Sequence, residues 1–361
     1  MTARGYFSAD YAEARRKFLD AAAAAGARVA HRSNPLRGPD GGELFTDTAW
    51  IGPADAERVL LTISGTHGVE GFCGSGAQVG WFESGLHAEA PAGTALLAIH
   101  AINPHGFAWL RRVTEDNVDL NRNFIDHSAP LPENPGYEEL HHILCPREWT
   151  DAAIAQSAAT LKAYIEERGY QAAQAAVSSG QYRHPDGIFF GGQAETWSRT
   201  TLTEILKSEL SRARHVAVID YHTGLGPRGH GERICPHLPD TGGLARARAW
   251  YDDDITSPSL GTSSSVELHG HNLIGMEAAL PDVNLTAVAL EYGTLPTEQV
   301  KLALCADNWL HVHGDPTNAK GKGIKGQIRE AFYQDADDWK GMIWERAVDT
   351  QRRALAGLAQ G

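Results

Sequence analysis

Apolar residues follow two rhythms along this chain. Four short runs are apolar at nearly every position: "RVLLTIS" (58–64), "GTALLAIHAIN" (93–103), "HVAVIDYHTG" (215–224) and "AVALEYGT" (287–294). Such runs read as strands buried on both faces of a sheet. Elsewhere apolar residues recur every three or four positions, and the spacing predicts helices over 9–27, 73–84, 151–177, 199–212, 297–312 and 336–358. Strands alternating with helices predict an α/β fold with a mixed, largely parallel sheet flanked by helices. No Pro/Ser-rich linker divides the chain, so a single domain over 1–361 is expected. Residues 125–200 carry little strand signal, several prolines and aromatics, and the unusual "GQYRHPDGIFFGG". They are expected to be an insertion.

Polar residues cluster at the ends of the strand runs. The glycine-rich "GTHGVEGF" (65–72) follows the first strand and brings His67 and Glu70; its glycines permit sharp turning and close approach. His222 ends a later strand and Glu291 the last. Open parallel sheets bind ligands outside the carboxyl ends of their strands. A catalytic zinc takes three His, Asp or Glu ligands and keeps a fourth position for water. His67 and Glu70 can supply a close pair and His222 the third. The plainer alternative is a turn-capping His67, a helix-starting Glu70 and a core His222; with 17 histidines in the chain, one beside a strand is common.

Composition narrows the function classes. Of 361 residues, 42% are hydrophobic and 21% charged, enough for a sizeable core, and the net charge of −13 argues against nucleic-acid partners and anionic membranes. The N-terminal segment lacks the apolar centre of a signal peptide, and no apolar run approaches the ~18 residues of a membrane span. Cys73, Cys145, Cys235 and Cys305 are scattered without a CxxC pair, which fits reduced thiols and a cytoplasmic location. There is no P-loop or GxGxxG, and "GFCGSG" has the wrong spacing for a serine-hydrolase elbow.

The segment "NPHGFAWLRRVTEDNVDLNRNF" (103–124) is rich in groups that recognise carboxylates. Arg122 can grip one with two parallel bonds, and Asn121 adds a donor. Asp119 is a candidate to accept the spare ring proton of a ligating histidine. For Arg111 a surface salt bridge is expected.

Together these pieces resemble the zinc carboxypeptidase family, a mixed sheet flanked by helices. The resemblance rests on "HGVE", "NPHGF", an arginine nine residues before the asparagine of "DLNRNF", a histidine ending a later strand and a glutamate ending a strand after that, in the family's order over roughly 58–295. "DLNRNF" and "DYHTG" are also similar to the aspartoacylase and succinylglutamate desuccinylase branch. "GQYRHPDGIFFGG" resembles a bacterial branch known as a domain of unknown function. The resemblance implies a zinc-carboxypeptidase-like catalytic domain with zinc on His67, Glu70 and His222. It implies that Arg112 holds the oxyanion, Asn121 and Arg122 bind the substrate's carboxylate, Asp119 orients His67, and Glu291 is general base and then acid. The family's substrate-contacting tyrosine is missing: its neighbourhood reads "VELHGHNLIG", with His269 and His271. Tyr292 should point away from Glu291 along the strand. The expected activity is zinc-dependent hydrolysis of an amide next to a free carboxylate, in a small peptide or, alternatively, an N-acyl amino acid. A non-catalytic zinc-containing protein is the alternative from another class.

Overall fold

The computed structural model describes residues 3–360; the two ends of the expected 1–361 unit, residues 1–2 and 361, lie outside them. In chain order the elements are α1 (Tyr11–Ala24), β1 (Arg28–Arg37), β2 (Glu43–Ile51), β3 (Arg58–Ile63), α2 (Gly71–Glu83), β4 (Thr94–His100), α3 (Pro104–Ala108), α4 (Pro135–Leu144), α5 (Asp151–Arg168), α6 (Tyr170–Ser178), α7 (Trp197–Glu209), β5 (His215–Arg228), β6 (Gly231–Ile234), α8 (Gly242–Tyr251), α9 (Asn272–Ala279), β7 (Asn284–Gly293), α10 (Thr297–His313), α11 (Ala319–Phe332) and α12 (Asp337–Gln360).

Seven strands form one sheet in the order β1-β2-β4-β3-β5-β7-β6. β4, β3, β5 and β7 run parallel at its centre, while β1, β2 and β6 attach antiparallel at the edges. The four expected strands are thus the parallel centre. Successive side chains on a strand point to opposite faces. On β5, Ala217, Ile219 and Tyr221 enter the core under α1, α2 and α12, while Val216 and Val218 enter the one with Leu202, Ile205 and Leu206 of α7 and Leu273 and Met276 of α9. Both faces are therefore covered, as apolar parallel strands require.

The helix expected over 151–177 is two helices. Gly169, at φ +86°, separates α5 from α6. Within residues 125–200, α4, α5 and α6 pack apolar residues such as Leu140, Leu161 and Val177 with Val300 and Leu304 of α10, while 179–196 forms no helix. The four cysteines are unpaired. Among the described residues, no helix is long and apolar enough to cross a membrane.

Candidate metal centre

The turn after β3 is shaped by close backbone contact. A side-chain carbon on Gly68 would lie 2.0 Å from the Gly106 carbonyl carbon and 2.2 Å from the Phe107 nitrogen. Only glycine lets this turn seat on α3. The turn is also held by Gly68 N–H to Arg112 O (3.1 Å) and Val69 N–H to Arg111 O (2.8 Å). The close approach is therefore to α3's backbone. Its effect is to fix His67 and Glu70 on either side of the glycine. At Gly74 a side chain would meet Ser64 at 2.7 Å and Tyr221 at 2.8 Å, so α2 lies tight against β3 and β5 and is buried almost all round.

His67, Glu70 and His222 converge. His67 Nδ1 is 3.0 Å from Glu70 Oε1, His222 Nδ1 is 3.1 Å from Glu70 Oε2, and the two Nδ1 atoms are 3.2 Å apart. All three side chains are buried. Each ring turns its other nitrogen to a carboxylate: His67 Nε2 to Asp119 Oδ1 at 3.0 Å, and His222 Nε2 to Asp220 Oδ2 at 2.8 Å. With Nε2 donating, both Nδ1 lone pairs face each other and a carboxylate. Such a cluster can be neutralised by a shared cation, a proton or a metal ion. Four ligands at zinc's ~2.0–2.1 Å bond lengths form a tetrahedron with edges of about 3.3 Å, close to the spacing found here. The donor set therefore fits a divalent metal.

Around this triangle the charges are dense. Arg112 donates from Nη1 to Glu70 Oε1 (2.8 Å) and from Nε to Asp119 Oδ2 (3.0 Å). Burial alone would raise the Glu70 and Asp119 carboxyls. His67, His222 and Arg112 nevertheless hold Glu70 well below the usual carboxylate range, and Arg112, Arg122 and His67 do the same for Asp119. Burial would lower His222, but Asp220 and Glu70 raise it well above the ordinary histidine value.

Glu291 lies directly opposite His222 in the β5–β7 register, so the two share a sheet face. Its Oε1 accepts from Leu225 N–H at 2.9 Å. Burial, and then neighbouring Glu70, push its carboxyl up to about 8. Tyr292 points into the opposite core, where its hydroxyl donates to Ile343 O at 3.1 Å.

His67, Arg112, Asn121, Arg122, His222 and Glu291 all line one cavity of about 370 Å³. Asn121 Oδ1 accepts from Asn272 N–H (2.9 Å). Arg122 donates to Ser178 O from Nε (3.0 Å) and Nη2 (2.6 Å), and to Asn121 O from Nη1 (2.9 Å). His269 and His271 line the same cavity. His271 Nδ1 accepts from Leu273 N–H at 3.2 Å as the cap of α9, and burial beside His222 and Arg122 lowers its pKa to about 3.

Arg111 departs from expectation. It is buried, bonding Asp307 on α10 (3.3 Å) and Asn117 (2.8 Å), because it and Arg112 leave the chain in different directions. Asp220 went unread in the sequence, although residues two apart on a strand share a face and so place it beside His222. Thr66 (2.8 Å) and Asn272 (2.7 Å) brace that carboxylate. A second group, His141, His184 and Asp186, also brings possible ligand atoms together. There the rings stack at 3.7 Å and 17°, so their in-plane lone pairs run side by side and do not converge.

A family model described as a protein of unknown function, DUF2817, matches residues 7–346. The chain belongs to the DUF2817 family. A search of curated proteins finds no match. Among solved structures, this DUF2817 chain is similar to carboxypeptidase A from Helicoverpa armigera, with 13% identity, a TM-score of 0.42, and 95% of this chain and 74% of that one covered. It is similar to bovine thrombin-activatable fibrinolysis inhibitor, with 9% identity, a TM-score of 0.46 and 99% of both chains covered. It is also similar to a succinylglutamate desuccinylase from Silicibacter sp., with 14% identity, a TM-score of 0.42, and 79% of this chain and 66% of that one covered. Likenesses this distant transfer no activity to this DUF2817 chain.

Proposed function

We propose that this protein is a zinc-dependent hydrolase that cleaves an amide, peptide or N-acyl, next to a free carboxylate. One observation carries the reading: His67, Glu70 and His222 form a buried triangle fit for a dication, with Glu291 opposite His222 in the same cavity. The whole chain acts as one catalytic unit, with 125–200 inserted in it.

His67, Glu70 and His222 hold the zinc, and Asp119 and Asp220 set the two rings so that Nδ1 faces it. A zinc ion bound there supplies Lewis acidity, which makes water a nucleophile near neutral pH. Glu291 takes a proton from the attacking water and returns it to the leaving nitrogen; its raised pKa suits both halves of the cycle. Arg112, already braced through Nε and Nη1, offers its remaining donors to the developing oxyanion. Arg122 has one hydrogen left on each Nη after bonding the backbone, and these with Asn121 receive the substrate carboxylate.

The test is Glu291→Gln with metal analysis and a screen of N-acyl amino acids and short peptides. The variant should keep its zinc and lose at least about a hundredfold in turnover. Near-normal turnover would remove Glu291 as the base.

A further inference from the structure

A second cavity, of about 500 Å³, adjoins the metal pocket. Its walls are mostly apolar side chains of four helices, among them Ile143 of α4, Leu161 of α5, Val177 of α6 and Leu304 of α10, with Ser157, Thr297 and Lys301 also on the lining. The two cavities share Gln174, Ser178, Phe189, Leu225, Val300 and Leu304, so these residues form the boundary between them. Several polar groups at that boundary are already engaged. The Gln174 amide donates to Ser264 O (2.7 Å), the Ser178 hydroxyl to Gln174 O (2.8 Å), and Ser178 O receives Arg122. A peptide threaded here would bury backbone N–H and C=O groups without partners, which is costly; a hydrocarbon has none to satisfy. Phe189 stands at that boundary with its ring centre 5.4 Å from the Arg112 guanidinium and 5.5 Å from that of Arg122. Its backbone is in the left-handed region, φ +56°, a conformation that tends to mark functional sites in bulky residues. Elsewhere around the chamber, Tyr170 and Leu302 are large apolar residues left exposed; of its charged residues Lys162 and Glu298 are exposed and Lys301 is half-buried.

We infer that this chamber takes a long apolar acyl chain, making the substrate class N-acyl amino acids with a fatty acyl group. The inference rests on the amidohydrolase reading of the metal pocket. The reaction adds one water across the amide: its oxygen bonds to the acyl carbon, the C–N bond breaks, and the leaving nitrogen takes the proton. A fatty carboxylate and a free amino acid result. The carboxylate on the amino-acid side meets Asn121 and Arg122, and the chain lies past Phe189.

The experiment compares kcat/KM for the N-acetyl, N-octanoyl and N-dodecanoyl forms of one amino acid, in the wild type and in Ala158→Trp. Ala158 is an exposed helix residue that lines the chamber, so an indole there blocks it with little burden on folding. Burial predicts about fourfold per methylene while wall remains to be covered, so dodecanoyl should exceed acetyl by at least about a hundredfold. Ala158→Trp should cut that ratio at least about tenfold. Acetyl substrates cleaved as well as dodecanoyl ones would overturn the chain inference and leave the amidase reading standing. If no N-acyl amino acid is cleaved, the amidase reading is in difficulty, and calorimetry with dodecanoate decides the chamber separately. Binding that Ala158→Trp weakens supports the inference; no binding, or equal binding by both proteins, overturns it.

Discussion

Asp220 and His222 stand two residues apart on one face of β5, with carboxylate Oδ2 2.8 Å from ring Nε2. The same carboxylate accepts from Thr66 and Asn272, so the ring's orientation is fixed from three elements of the chain. This contact decides which nitrogen of His222 faces the metal site. Asp220→Asn should therefore weaken zinc binding by about 10–100-fold, the usual cost of removing such a partner. Competition with a chelator measures it; unchanged affinity would make Asp220 a packing residue only.

The adjacent arginines should fail differently. Arg111 and Lys325 both bond the buried Asp307, so Arg111→Ala should act on stability, and by less than breaking an isolated buried pair, because Lys325 still neutralises the carboxylate. Arg112 reaches Glu70 and Asp119 and lines the metal cavity. Arg112→Ala should lower kcat by about 10²–10³, as losing an oxyanion donor does. Thermal melts and steady-state kinetics on both variants separate them. A larger kcat loss, at equal stability, from Arg111→Ala would reverse the roles.

Glu291 should leave two opposite signatures of pH. As a base it works ionised, so kcat/KM should fall as pH drops through its pKa. A bound dication favours the carboxylate, which places that limb below about 8. In the zinc-free protein the raised pKa acts on stability. The protonated carboxyl is the form the fold favours, so its contribution is full below the unfolded value of about 4.3 and is lost as pH rises through about 8. Zinc-free Glu291→Gln should thus melt higher than zinc-free wild type at alkaline pH, and the gap should close in acid. A gap that widens in acid would contradict the burial argument.

The Arg122 fork makes a demand on the substrate. Amidating its carboxylate removes a charge-assisted pair and leaves buried donors unmatched, and sites of this kind can discriminate by about 10⁴. Free acids should be cleaved far faster than their amides, and Arg122→Ala should erase most of the difference by slowing the acid. Equal rates on both would remove the carboxylate clamp.

Much of this architecture is legible in the chain because the four central strands are apolar at most positions, and the carboxyl ends of three of them carry His67, His222 and Glu291. The edge strands are harder to read. β1, "RVAHRSNPLR", is mostly exposed or half-exposed and includes a proline, so it shows no apolar rhythm. β6 is four residues, two of them charged. Arg233 can be buried there only because Asp254 and Asp349, distant in sequence, meet it. α11 carries three glycines among its lysines, which hides a helix from propensity. The candidate metal ligands announce themselves by position, whereas the partners of Arg122 are backbone carbonyls of Asn121 and Ser178, which leave no mark in a sequence.

One metal should sit between His67, Glu70 and His222. The zinc content of purified protein after dialysis against buffered zinc, beside that of His222→Ala, tests this. About one zinc per chain in the wild type and little in the variant is the predicted result. Equal zinc in the two proteins, or none in either, would contradict it.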